Sequence, residues 1–273
     1  MRRQHRVPAV HHSGLREARK RHPGRGLREG RVRAAVPAAG QPARGAPVLA
    51  AHAHPEHGRR RPPRRTHRAP ALPADDVAAA INRGAIVLDT RSAEAFGGGH
   101  IPGALNVGLG SAFATWAGTV LPAEAEILLV LDRSSDLWEA IWQLLRIGYP
   151  MPTGWLAGGM SAWRTSARPV ELTPQITVHE LKRRLDQGEV TLLDVRQPAE
   201  WAAGHTEGAT FITGAELPDR LDEVPADKPI AVTCGSGYRS SVATSLLARE
   251  RGLPVINVAG GMTAWHRAGY PTT

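Results

Sequence analysis

Cysteine is almost missing from this chain: its 273 residues include one, Cys234. A lone cysteine excludes an internal disulfide framework and fits a reducing compartment, so a cytoplasmic location is expected. No apolar run approaches the roughly 20 residues that a bilayer-crossing helix needs. The opening MRRQHRVPAVHHSGLREARK also lacks the apolar stretch of a secretory signal. No membrane partner is expected. Residues 1–70 lack more still, with no Phe, Tyr, Trp, Ile, Cys, Asn or Asp. Such a segment buries too little apolar surface to offset its chain entropy and is expected to be disordered.

That segment also holds the basicity. It has 18 Lys+Arg against 3 Asp+Glu, whereas residues 71–273 carry the remaining 16 against 22. The formal charge of +9 therefore describes the tail, and the rest is mildly acidic. A nucleic-acid arm would suit the charge, but no aromatic stacks on bases and only one of the 18 cations is lysine, so nucleic acid is not an expected partner. An inert tail, an Arg-rich presequence and a GC-rich gene read out of frame are the other readings. Within the tail, AHAHPEH sets His52, His54, Glu56 and His57 at a spacing that resembles the H-x-H-x-D-H metal pattern of the metallo-β-lactamase fold. A metal site needs further ligands and a rigid shell around them, which this tail does not supply. No metal and no cofactor are expected.

From residue 71 the chain repeats itself. VLDTRSAEAFGGGHIPGA (Val87–Ala104) aligns without a gap to LLDVRQPAEWAAGHTEGA (Leu192–Ala209), and AGGMSAW (Ala157–Trp163) to AGGMTAW (Ala259–Trp265). The offsets, 105 and 102, are too long for a solenoid and describe two tandem domains. We place them at 71–168 and 174–273, joined through SARPVELTPQ (Ser166–Gln175). Short apolar runs (AIVLDT, EILLVLD, VTLLDV, PIAVTC, PVINV) alternate with helical patterns, which predicts an α/β fold with parallel sheets. Thr177 and Glu180 form a T-x-x-E capping box, and Gly188 ends the helix that it opens.

The cysteine closes one of these strands. In VTCGSGYRSS (Val232–Ser241), Cys234 precedes a glycine-bearing loop and a helix expected to start near Arg239. Ligands bind at the carboxyl ends of strands in open α/β sheets, where helix N-termini meet. Loop N–H groups and the helix dipole there would cradle the sulfur and favour its thiolate. Gly235 and Gly237 would permit the tight path through positive φ, and Arg239 would offer a forked donor to an anion.

CGSGYRS after an apolar strand resembles the active-site loop of the rhodanese family. LLDVRQPAEWAAGHTEGA resembles that family's first signature and AGGMTAW its last, so the likeness spans residues 71–273. It implies two tandem domains, each a five-stranded parallel sheet flanked by helices. It also implies a sulfurtransferase that moves sulfane sulfur from thiosulfate or a persulfide to a thiol or cyanide. Cys234 would carry the sulfur as a persulfide, and Gly235, Ser236, Gly237, Tyr238 and Arg239 would hold it. Related phosphatases place five residues between Cys and Arg; here four intervene, a tighter cradle suited to one sulfur. In the first copy EILLVLD ends at Asp132, which we align with Cys234, and RSSDLW follows without glycine. That copy is expected to be inert.

Asp89, Arg91 and His100 recur as Asp194, Arg196 and His205. Occurrence in the inert copy too favours structural pairing and loop fixing, and the Trp of each AW motif reads as core. FATWAG (Phe113–Gly118), with an inert domain before an active one, resembles the C-terminal half of metallo-β-lactamase–rhodanese fusions. That narrower likeness implies a second reading: a non-catalytic sulfur carrier serving a separate metallo-β-lactamase-type persulfide dioxygenase as partner.

Overall fold

The computed structural model describes residues 69–273; the basic tail and its AHAHPEH histidines lie outside the described residues. The first domain runs β1 (Ala71–Leu72), α1 (Ala74–Asn82), β2 (Ile86–Asp89), α2 (Ala93–Gly97), β3 (Leu105–Asn106), α3 (Phe113–Val120), β4 (Ile127–Val130), α4 (Leu137–Arg146), β5 (Gly154–Leu156) and α5 (Gly159–Thr165). The second runs β6 (Gln175–Ile176), α6 (Val178–Asp186), β7 (Thr191–Asp194), α7 (Pro198–Ala202), β8 (Thr210–Phe211), β9 (Ile230–Thr233), α8 (Tyr238–Arg251), β10 (Val255–Val258) and α9 (Gly261–Arg267). Each sheet has five parallel strands, ordered β1-β5-β4-β2-β3 and β6-β10-β9-β7-β8. Ala69 and Pro70, grouped with the tail by composition, lie with the first sheet: Ala69 is buried, and the Pro70 carbonyl accepts from the Trp155 N–H at 3.0 Å.

Strand burial explains why the apolar runs are continuous. Every residue of β2, β4, β9 and β10 is buried, as parallel strands covered on both faces require. Successive side chains still face opposite ways. Ile127 and Leu129 join a core shared by both domains, while Leu128 and Val130 face the outer core of the first. Ile230 and Val232 enter the shared core, and Ala231 the outer core of the second. At the start of α6, Thr177 Oγ1 caps the Glu180 N–H at 3.2 Å. The reciprocal half of the expected capping box is displaced, because Glu180 accepts instead from Arg183 at 2.8 Å and Arg184 at 2.7 Å.

Helix α8 joins the two halves. Ser240 to Leu247 are all buried, so this helix has no solvent face through its middle. Its small residues and hydroxyls let it lie against its own strands β9 and β10 and against β3, the edge strand of the other sheet. An edge strand exposes unpaired N–H and C=O groups. Here Asn106 N–H donates to Ser245 Oγ at 2.9 Å and Ser241 Oγ donates to Asn106 Oδ1 at 2.6 Å. Asn106 Nδ2 donates in turn to the Asp89 and Arg91 carbonyls at 3.1 and 3.0 Å.

Asn106→Ala strands the Ser241 hydroxyl and the buried Arg91 carbonyl, while the Asp89 carbonyl keeps the Val107 N–H, so we expect a loss of about 1–3 kcal/mol in urea unfolding. Because the core is shared, both domains should shift together in one transition. An unchanged midpoint, or a shift of one domain alone, would count against this coupling.

Candidate active site

Cys234 directly follows β9 and is buried. Its Sγ accepts the Gly237 N–H at 3.2 Å and lies 3.5 Å from Ser240 Oγ. Gly237 is the N-cap of the 14-residue α8 and has φ 111°, a left-handed conformation that glycine takes at little cost. The sulfur thus sits at a helix N-terminus, where N–H groups and the helix dipole stabilise negative charge. The opposite edge of the loop is fixed by α9. Met262 N–H donates to the Cys234 carbonyl at 2.7 Å and Thr263 N–H to the Gly235 carbonyl at 3.0 Å. Gly261, at φ 51°, must lack a side chain, since a methyl there would run into the Cys234 carbonyl oxygen. AGGMTAW is therefore the backstop of the cysteine loop.

The expected loop residues divide by position. Gly237 touches the sulfur. Gly235 has no left-handed φ, contrary to expectation; its smallness matters because a Cβ there would come within 2.9 Å of the Arg239 guanidinium. Ser236 is exposed. Tyr238 turns away and donates its hydroxyl to the Gly108 carbonyl of the first domain at 2.8 Å, and burial pushes its phenol up to about 12. Ser236, Gly237 and Tyr238 line a cleft of about 470 Å³ with Arg91, Asp132 and Arg133 of the first domain.

Arg239 is not an open fork. Its two terminal nitrogens donate to Glu200 Oε2 and Oε1 at 2.6 and 2.8 Å. That bidentate pair holds the Glu200 carboxyl down at about 2, against an ordinary 4.5. Glu200 is itself held, since Oε2 accepts from Gln197 N–H at 3.0 Å and its carbonyl accepts from Arg196 at 3.0 Å. Glu200 and Gly261 are site residues outside the loop motif, and Ser240, the motif's last residue, lies by the sulfur without having been singled out in the sequence. Glu200 did leave a signal: the copies agree around it, but the first has Ala95 at its position.

Sheet register corrects one alignment. Asp89 pairs with Val130 and Asp194 with Thr233, so the residue matching Cys234 is Leu131, not Asp132. Leu131 is buried and Asp132 exposed. The first loop thus has an aliphatic side chain where the second has its thiol. The shared residues serve structure in both copies. Arg91 and Arg196 chelate Asp89 and Asp194 and reach the Gly99 and Gly204 carbonyls. His100 stacks on Phe96 and His205 on Trp201, with centroids 3.7 and 3.6 Å apart. Trp163 and Trp265 are buried.

Residues 73–166 and 177–268 both match the model of the Rhodanese-like domain. The chain belongs to that family. One curated relative, the HTH-type transcriptional regulator Rv0324 of Mycobacterium tuberculosis, is 43% identical over 97 residues, which span 35% of this chain and 43% of the regulator. A protein named Sulfurtransferase from Allochromatium vinosum is 37% identical over 98 residues, spanning 36% of this chain and 92% of that protein. Among solved structures, a rhodanese-related protein of Thermoplasma volcanium is 32% identical and covers 37% of this chain and 97% of its own, with a TM-score of 0.35.

The Glu200–Arg239 pair gives a pH test. Glu200 is depressed in the fold, so its contribution to stability is present above about 4.5 and is lost as pH falls toward about 2. Wild type and Glu200→Gln should therefore converge in urea midpoint over that window. A constant difference down to pH of about 2 would contradict the pairing.

Proposed function

We propose that the second domain is a sulfurtransferase and that Cys234 carries the sulfur. The observation that supports this most is the Gly237 N–H aimed at a buried Sγ from the head of α8, 3.2 Å away. The name of the Allochromatium relative, which the match covers almost completely, supports the same reading.

The Cys234 thiolate attacks the outer sulfur of thiosulfate or an organic persulfide. A new S–S bond forms on Cys234, the donor's S–S bond breaks, and sulfite or a thiolate departs with the bonding electron pair. The enzyme is left as a persulfide anion, with its charge facing the loop donors. A thiolate or cyanide acceptor then attacks the terminal sulfur and takes it, and the Cys234 thiolate is regenerated. No net redox change or metal is required. Four residues between Cys234 and Arg239 leave a ring suited to one sulfur atom rather than a tetrahedral phosphoryl group. The first domain, with Leu131 in place of the thiol, serves as the wall that receives Tyr238 and buries α8.

Cys234→Ser is expected to lower sulfur transfer to cyanide or a thiol by about a thousandfold or more, with urea unfolding little changed. A variant that folds and keeps more than about a tenth of wild-type kcat/KM would remove Cys234 from the reaction.

A further inference from the structure

The residue that distinguishes this cradle is Glu200. The two copies retain their aspartate–arginine pairs, stacked histidines and buried tryptophans alike. Three positions change together: Cys234 becomes Leu131, the loop up to Arg239 loses its glycines, and Glu200 becomes Ala95. At this position a carboxylate stands only in the copy with the thiol; the first copy has Glu94 one residue earlier, on the cleft, with no arginine fork to hold.

The geometry around Glu200 defines its role. Arg239 is the only cation in the segment Cys234–Arg239, and both of its terminal nitrogens are committed to Glu200 at 2.6 and 2.8 Å. Two neighbouring guanidinium groups are committed as well, Arg91 to Asp89 and Arg196 to Asp194; Arg133, on the exposed rim of the cleft, lies 3.4 Å from Asp136 and makes no contact with the cysteine loop's sulfur. A donor with a sulfonate end, such as thiosulfate, therefore meets a compensated arginine. It must displace a carboxylate that is ionised at every working pH and anchored through Gln197 and Arg196. A donor whose leaving group is an organic thiolate has no sulfonate to seat and does not meet that barrier. An unfavourable charge set against one ligand class is a recognised route to specificity.

We propose that Glu200 is a specificity-determining residue which keeps the Arg239 fork from oxyanions and biases the site toward organic persulfides. This rests on the sulfur-transfer reading above. Glu200 leaves the attack of Cys234 on the outer sulfur unchanged in its bonds and charges; it acts on which donor is seated.

The test compares thiosulfate and glutathione persulfide as donors to the full chain, with sulfur uptake read as intact mass and transfer as kcat/KM. Glu200→Gln should raise the ratio of thiosulfate to persulfide kcat/KM about tenfold, chiefly through KM for thiosulfate, and should strengthen competitive inhibition by sulfite. Glu200→Ala, the residue natural to the first copy, guards against a fault peculiar to glutamine and should shift the ratio the same way. If both donors fall together in both variants, Glu200 only positions Arg239 and the inference is overturned. A ratio that is unchanged or lower overturns it also. Wild type that takes up sulfur from neither donor overturns the sulfur-transfer reading itself, and the inference with it.

Discussion

Burial of helix α8 on all sides is the constraint from which the rest follows. Its middle, Ser240 to Leu247, is enclosed by two sheets at once, so the helix has no freedom to slide or tilt without opening the core common to both domains. Its first turn supplies Gly237 and Ser240 to the sulfur, and its first residues supply Tyr238 to one domain and Arg239 to the other side of the loop. A chemical site made of backbone donors is only as exact as the backbone that carries it. Here that backbone is fixed from both ends, by α8 through its packing and by α9 through Met262 and Thr263.

This gives the first domain a physical role that needs no thiol. It covers α8, pairs its edge strand with serine hydroxyls through Asn106, and accepts the Tyr238 hydroxyl at Gly108. Once Leu131 fills the cysteine position, no anion has to be held there, and neither the glycine turn nor the carboxylate partner of an arginine has a purpose. The copies differ at the Cys, Gly and Glu of the loop and its partner and agree at the Asp, Arg, His and Trp of the frame.

Much of this was legible in the residues. Four-residue apolar runs marked the central strands, since parallel strands buried on both faces carry no polar alternation, and the repeat marked the second domain. Cys234 and the helix after it followed from the glycines and the strand end. Three things were not legible. Asp132 could be matched to Cys234 because the copies differ in loop length there, and only strand pairing fixes Leu131 as the counterpart. Gly235 reads as a turn glycine, but its constraint is the guanidinium folded above it. Arg239 reads as a free fork because its partner, Glu200, lies far away in sequence on α7, and a local motif carries no sign of that contact.

The central claim is that one of two homologous loops, and only that one, holds sulfur. Intact-mass measurement of the full chain after exposure to glutathione persulfide, followed by peptide mapping, addresses it most directly. The expected result is a gain of one sulfur atom per chain, localised to Cys234 and removed by a thiol acceptor. A chain that gains no sulfur, or gains it elsewhere than at Cys234, would contradict the claim.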